Sequence, residues 1–115
     1  MLKIELSCYN NSETLIIEEN GLILGYLIYR RLWMEYHILN IGVFPFRQKE
    51  GIGGILLKHF LDDLKRISSV FLEVKKSNFP AINLYKKNGF KVLSERKNYY
   101  KDGSSALMMS YNENI

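Results

Sequence analysis

Three glycines within four positions, Gly51, Gly53 and Gly54, stand between a β-rich run and a helical pattern, and they limit the folds open to this chain. Upstream, Tyr36 to Val43 carries Ile38-Leu39-Asn40-Ile41-Gly42-Val43, and Pro45, which cannot donate to a ladder, closes that strand. Downstream, Ile52, Leu56, Phe60, Leu64 and Ile67 recur at three- and four-residue spacing, while Lys58, Asp62, Lys65 and Arg66 fall mostly elsewhere on the wheel. That spacing predicts an amphipathic helix. A strand, a glycine turn and a helix in succession bring backbone N–H groups to the positive end of a helix, where an anion such as a pyrophosphate can approach closely. Glycines also serve ordinary strand-to-helix turns, so both readings stand on the residues alone. The phosphate-loop pattern fails because no Gly-Lys-Ser/Thr ending follows. The dinucleotide pattern fails because its first glycine would fall on Gln48 or Lys49.

The rest of the chain builds a sheet around this unit. Thr14 to Glu18 is a short β-rich run followed by Asn20-Gly21, a strong two-residue hairpin signal, and Leu22 to Leu32 reads as the returning strand. Val70 to Val74 reads as a further, buried strand. A second helix starts at Ser77-Asn78-Phe79-Pro80, with capping residues ahead of a first-turn proline, and runs through Lys87. Gly89 suits the left-handed residue beyond its end, and Lys86 and Lys87 suit its negative end. Phe90 to Leu93 and Ala106 to Tyr111 read as two last strands around a turn at Asp102-Gly103. The expected order is βββαβαββ, a single α+β domain over 1–115 with a mixed, largely antiparallel sheet flanked by helices.

Composition narrows the function classes. Hydrophobic residues make up 47% and charged residues 24%, as a globular domain requires. No apolar run reaches the roughly 18 to 20 residues of a membrane span, and Met1 to Leu6 is too short and too charged for a signal peptide. The single cysteine, Cys8, reads as a small packing residue, and a reducing cytoplasm is the expected compartment. Sixteen Lys and Arg against twelve Asp and Glu leave net +4, which suits a polyphosphorylated ligand, nucleic acid, a ribosomal surface or simply solvent. His37 and His59 lack a third ligand at metal-site spacing, so no metal is implied. Trp33, Met34 and Tyr36 read as core or rim packing, and Arg30-Arg31 and Lys75-Lys76 as solvated pairs.

The turn Gln48-Lys49-Glu50-Gly51-Ile52-Gly53 matches the Gln/Arg-x-x-Gly-x-Gly/Ala motif of the GNAT superfamily of N-acetyltransferases. More follows in register: Leu72-Glu73-Val74, Ser77-Asn78, Leu84-Tyr85, Asn88-Gly89-Phe90, then Asn98-Tyr99-Tyr100, Asp102-Gly103 and Ala106. Over residues 13–110 the chain resembles the bacterial ribosomal-protein-alanine N-acetyltransferases, the RimI family. The resemblance implies a GNAT-type sheet with a cofactor-binding core over residues 36–90 and acetyl-coenzyme A as cosubstrate. It implies that Ile41, Gly42 and Val43 pair with pantetheine, and that Lys49, Glu50, Gly51, Ile52, Gly53 and Gly54 hold the pyrophosphate through main-chain N–H groups. Asn78 would contact the cofactor arm, Glu73 would act as general base and Tyr85 as general acid.

The chemistry of the residues is consistent with those roles. Acyl transfer from a thioester needs an amine to lose a proton and a thiolate to gain one. A carboxylate between Leu72 and Val74 is unusual in a strand expected to be buried, and partial desolvation brings a carboxylate toward the working range of a base. The alternative is a solvent-facing Glu73 paired with Lys75 or Lys76. Tyr85 shares a helix face with Ala81 and Ile82, as a proton donor or as a core tyrosine.

Two features depart from the resemblance. The first strand and first helix of the family are expected to be missing, with Leu2 to Leu6 through Asn11-Ser12 matching the tail of a second helix and its loop. The strand at Thr14 to Glu18 would then be an uncovered edge, which predicts self-association. The family's acidic residue just before Ala106 is absent as well, since Ser104-Ser105 stands there. The expected function is transfer of acetyl to a protein N-terminal amine, with a ribosomal protein alanine as the family's acceptor. The competing readings are a lysine or small-amine acceptor, an inactive domain that binds coenzyme A or a partner, and a small basic nucleic-acid-binding domain that has no motif beyond its charge.

Overall fold

The computed structural model describes residues 2–9, 11–45, 51–64 and 68–113. Its strands are β1 (Leu2–Tyr9), β2 (Ser12–Glu19), β3 (Leu22–Leu32), β4 (Glu35–Val43), β5 (Ser68–Lys75), β6 (Lys91–Arg96) and β7 (Ala106–Glu113). Its helices are α1 (Ile52–Asp62) and α2 (Phe79–Lys87). The strands form one sheet in the order β1-β2-β3-β4-β5-β7-β6. All neighbours are antiparallel except β4 and β5. A parallel pair needs a long crossover, and the segment containing α1 supplies it.

Local chemistry accounts for the connections. Asn20 and Gly21 take φ of 52° and 81°, the left-handed pair that a tight hairpin between twisted strands requires. Asn78 caps α2 by accepting a hydrogen bond from the Ala81 N–H at 3.2 Å, with Pro80 tolerated in the first turn. Gly89 follows the helix at φ 95°.

Both helices bury into one apolar cluster, so they cover the same face of the sheet. From α1 come Ile52, Leu56, Leu57, Phe60 and Leu61; from α2 come Ile82 and Tyr85. The sheet meets them with Leu15, Ile17, Leu24, Leu27, Tyr36, Ile38, Leu72 and Met109, among others. The Phe60 ring fills the space between Tyr29 and Tyr36, with centroids 4.7 and 5.8 Å away. Along β5, Val70, Leu72 and Val74 enter this core, and strand alternation turns Phe71 and Glu73 to the opposite face.

Several expectations need correction. Leu2 to Tyr9, expected as the tail of a helix and its loop, is a strand pairing with all of β2 from Leu2↔Glu19 to Tyr9↔Ser12. The observed order is therefore ββββαβαββ, one strand more at the start than expected. Because β1 covers β2, the run at Thr14 to Glu18 is not a free edge, and the reason given for self-association falls away. The helix expected to reach Ile67 ends at Asp62, and residues 65–67 lie outside the described residues. Cys8 is exposed on β1 rather than packed. Trp33, expected in packing, is 91% exposed at the tip of the β3–β4 hairpin with φ 60°, while Tyr36 is buried.

Candidate active site

The site begins where two parallel strands part. β4 and β5 pair at three positions, Glu35↔Ser69, Tyr36↔Val70 and His37↔Phe71, and then both run on unpaired to each other. Just beyond, Tyr29 of β3 faces Ile38 and Ile28 faces Asn40, so Leu39 is an extra residue in β4. A bulge of this kind bends its strand and increases local twist. It also shifts the alternation. Tyr36 and Ile38 face the helices before it; after it Ile41, paired with buried Leu27, faces that way.

Two contiguous cavities occupy the opening. The larger, about 640 Å³, is lined by Ile41 and Val43 of β4, Gly51 to Gly54 at the head of α1, and Asn78, Pro80, Ala81, Leu84 and Tyr85. The smaller, about 200 Å³, lies between the parted strands, and Glu73 and Tyr85 both line it. Ile41, Asn78, Ala81 and Tyr85 line both, so the two cavities adjoin.

The glycines at the head of α1 are not explained by packing within the protein. Gly51 needs its φ of 78°. A Cβ on Gly53 would meet Leu84 at 3.5 Å, and one on Gly54 would meet it at 3.7 Å, both ordinary contacts. Glycine in a helix costs about 1 kcal/mol against alanine, so two without a packing need point to something approaching the backbone from the cleft. Among the described residues no side chain caps this helix, and no acidic residue sits in its first turn. Its first N–H groups therefore stay available to an anion. The residues present thus fit a pyrophosphate with an extended arm beside β4.

The remaining candidates are placed as follows. Asn78 spends its side-chain oxygen on capping α2 and lines both cavities. Ile52 lines the cleft while its side chain is buried in the core. Gly42 is not part of the cleft wall; a Cβ there would stand 2.7 Å from the Tyr26 ring, so its bareness makes room for that ring. Lys49 and Glu50 lie outside the described residues.

Tyr85 is 5% exposed, and burial pushes its phenol up to about 12. Glu73 is exposed on the sheet face away from the helices, which corrects the expected desolvation: alternation along β5 buries its neighbours and turns it out. It does not pair with Lys75 or Lys76, which bind Asp102 and Glu95 instead. Its partner is Tyr100, whose hydroxyl donates to Glu73 Oε1 at 3.3 Å. Burial, then the Glu73 charge, raises the Tyr100 phenol. In the sequence Tyr100 stands out only as part of Asn98-Tyr99-Tyr100. A contact across 27 positions leaves no periodic trace.

Comparison with known proteins agrees with this geometry. The acetyltransferase (GNAT) family model matches residues 2–90. An N-alpha-acetyltransferase of Sulfurisphaera tokodaii is 34% identical over 110 residues, 83% of this chain and 66% of that protein. The ribosomal protein bS18-alanine N-acetyltransferase of Escherichia coli K12 is 36% identical over 86 residues, 73% of this chain and 58% of that protein. This chain spans less than two thirds of the length of either relative. The crystal structure of the Escherichia coli ribosomal-protein-S18-alanine N-acetyltransferase superimposes with a TM-score of 0.87 at 31% identity, over 94% of this chain and 73% of that one. The family model spans both the parted strands and the glycine-lined helix start beside them, and the chain belongs to the GNAT acetyltransferase family.

Proposed function

We propose that this chain transfers acetyl from acetyl-coenzyme A to the N-terminal α-amine of a protein. The observation that carries the reading is that Glu73 and Tyr85 line one gap that adjoins the glycine cleft. In this reading the head of α1 holds the pyrophosphate, and the unpaired stretch of β4 at Ile41 and Val43 lies along the pantetheine arm. The thioester supplies the activated acetyl group. Glu73 takes a proton from the incoming amine, directly or through a water, as the new C–N bond forms. Tyr85 gives its proton to the sulfur as the C–S bond breaks. A phenol raised by burial is a weaker acid, but a thiolate formed in the same apolar recess is likewise destabilised, so donor and acceptor stay matched.

The amine enters from the sheet face that carries Glu73, since the two helices cover the other. The names of the relatives support a protein N-terminus as acceptor, and we take a ribosomal protein alanine as the specific one. We place the reaction in the cytoplasm, where ribosomes and acetyl-coenzyme A meet.

The test is a thiol-release assay with acetyl-coenzyme A and an Ala-starting peptide, alongside melting with and without the cosubstrate. Turnover that is lost in Glu73→Gln while the ligand-induced rise in melting temperature stays supports the reading. An unchanged melting temperature at saturating acetyl-coenzyme A sinks it. A rise without turnover on any amine makes the chain a binding domain.

A further inference from the structure

The turn between β6 and β7 is tied to the end of β5 by a backbone bond, Lys76 N–H to Ser105 O at 2.9 Å, and by the carboxylate of Asp102. Asp102 Oδ2 accepts from Lys75 Nζ at 3.0 Å. Its Oδ1 accepts from the Ser104 N–H at 2.9 Å and from the Ser104 hydroxyl. The turn is closed by Gly103 N–H to Tyr100 O at 2.9 Å and Tyr100 N–H to Ser104 O at 3.0 Å. Lys75 sits over the Tyr100 ring, its Nζ 5.6 Å from the centroid. From this frame Tyr100 delivers its hydroxyl to Glu73.

Lys75 and Asp102 are 43% and 59% exposed, and a pair that open contributes only about 0 to 1 kcal/mol to stability. The arrangement is elaborate for so small a stabilising effect. Its geometric effect is larger: β5 carries Lys75 two residues after Glu73, so fixing Asp102 to Lys75 fixes Tyr100 beside Glu73.

We propose that Asp102 is a positioning residue for the acetyl-transfer site, acting through the Lys75-anchored turn and Tyr100 to hold the Glu73 carboxylate in one orientation. This rests on the reading of Glu73 as the base. One carboxylate oxygen is held by Tyr100 and the other is left for the amine. The same fixation occupies Asp102 and neutralises it with Lys75, so the acid of this turn supports the base rather than gripping a basic acceptor.

The test is kinetic and structural. Asp102→Asn should lower kcat on the order of tenfold and leave KM for acetyl-coenzyme A within about twofold, because the cosubstrate lies on the other face. Its effect should largely vanish in a Tyr100→Phe background, since both act through one contact. Lys58→Met, which breaks the exposed Lys58–Asp62 pair on α1, should leave kinetics unchanged. Activity of Asp102→Asn within twofold of the parent, or a fall that adds fully to that of Tyr100→Phe, overturns the proposal. A readout independent of turnover separates its failure from failure of the acetyltransferase reading. Amide exchange at Tyr100, Gly103 and Ser104 should speed up about tenfold or more in Asp102→Ala while β5 amides keep their protection. Unchanged exchange there overturns the proposal even if the enzyme is active. Faster exchange in a chain that turns over no amine leaves the anchoring standing, overturns its catalytic purpose and returns the fault to the assigned activity.

Discussion

Glu73 and Tyr85 line the same gap between β4 and β5, yet they reach it from opposite faces of the sheet. In the proposed mechanism the proton acceptor and the proton donor therefore stand on opposite faces of the sheet at that gap. Separate entrances follow for the cosubstrate and the amine, and so do separable mutant effects. Glu73→Gln should reduce kcat by about a hundredfold or more and leave the dissociation constant of acetyl-coenzyme A unchanged, as read by single-turnover kinetics and calorimetry. Equal losses in binding and turnover would contradict the two-face arrangement.

Gly54 offers a prediction with two opposite signs. Gly54→Ala meets nothing closer than Leu84 at 3.7 Å and removes a helix-weakening residue, so the free protein should gain up to about 1 kcal/mol. The same methyl stands at the head of α1 in the cleft wall, so acetyl-coenzyme A affinity should fall about tenfold. Urea melts with and without ligand read both effects. A variant that is stabilised and binds normally would remove the glycine cradle from the site.

Alkaline melting should report Tyr85. Its folded value near 12 stands above the ordinary 10, so between those values the folded state keeps a proton that the unfolded chain loses. The associated stability is complete below pH 10 and is lost as pH rises toward 12, by about 2 to 3 kcal/mol at most. Tyr29 is raised too, by burial and its hydrogen bond to Glu13, and adds with the same sign. Comparing the parent with Tyr85→Phe isolates one term: the variant should show a shallower decline over that window. At neutral pH the same variant should lose about a hundredfold in kcat.

The core makes a simpler demand. Leu56 has no exposed surface and lies where α1 meets the sheet, so Leu56→Ala should cost about 2 to 5 kcal/mol. For a domain whose total stability is on the order of 5 to 15 kcal/mol, that leaves a marginal fold. A denaturant midpoint within experimental error of the parent would show that α1 is not seated as described.

What could be read in advance follows the range of the interactions. Asn20-Gly21, the capping Asn78 and the glycine head of α1 are local signals, and each stands where its residues put it. The first strand was legible as well: Leu2, Ile4 and Leu6 alternate with Lys3, Glu5 and Ser7 at a strand's period of two. The resemblance points to a helix tail there, but the period of two is the signal the structure follows. The orientation of Glu73 could also have been argued from alternation, because Leu72 and Val74 cannot share its face. The Leu39 bulge and the Tyr100 hydroxyl on Glu73 were out of reach, since each exists only once distant strands are side by side.

Only three register positions pair β4 with β5 in the ladder, and they divide the sheet into a plate of β1 to β4 and a plate of β5, β7 and β6 on a short hinge. Mechanically, the hinge is the compliant line of the sheet, with α1 packed on the β2 to β4 side of it. A molecule with amide groups laid along the open part of the seam would act as a staple, supplying the hydrogen bonds that the two strands do not give each other. Without it the plates can unfold in partial independence; with it they unfold as one body. On the proposed binding mode the cosubstrate would set the cooperativity of the domain as well as its stability, and a sharper unfolding transition on binding is the expected signature of that coupling.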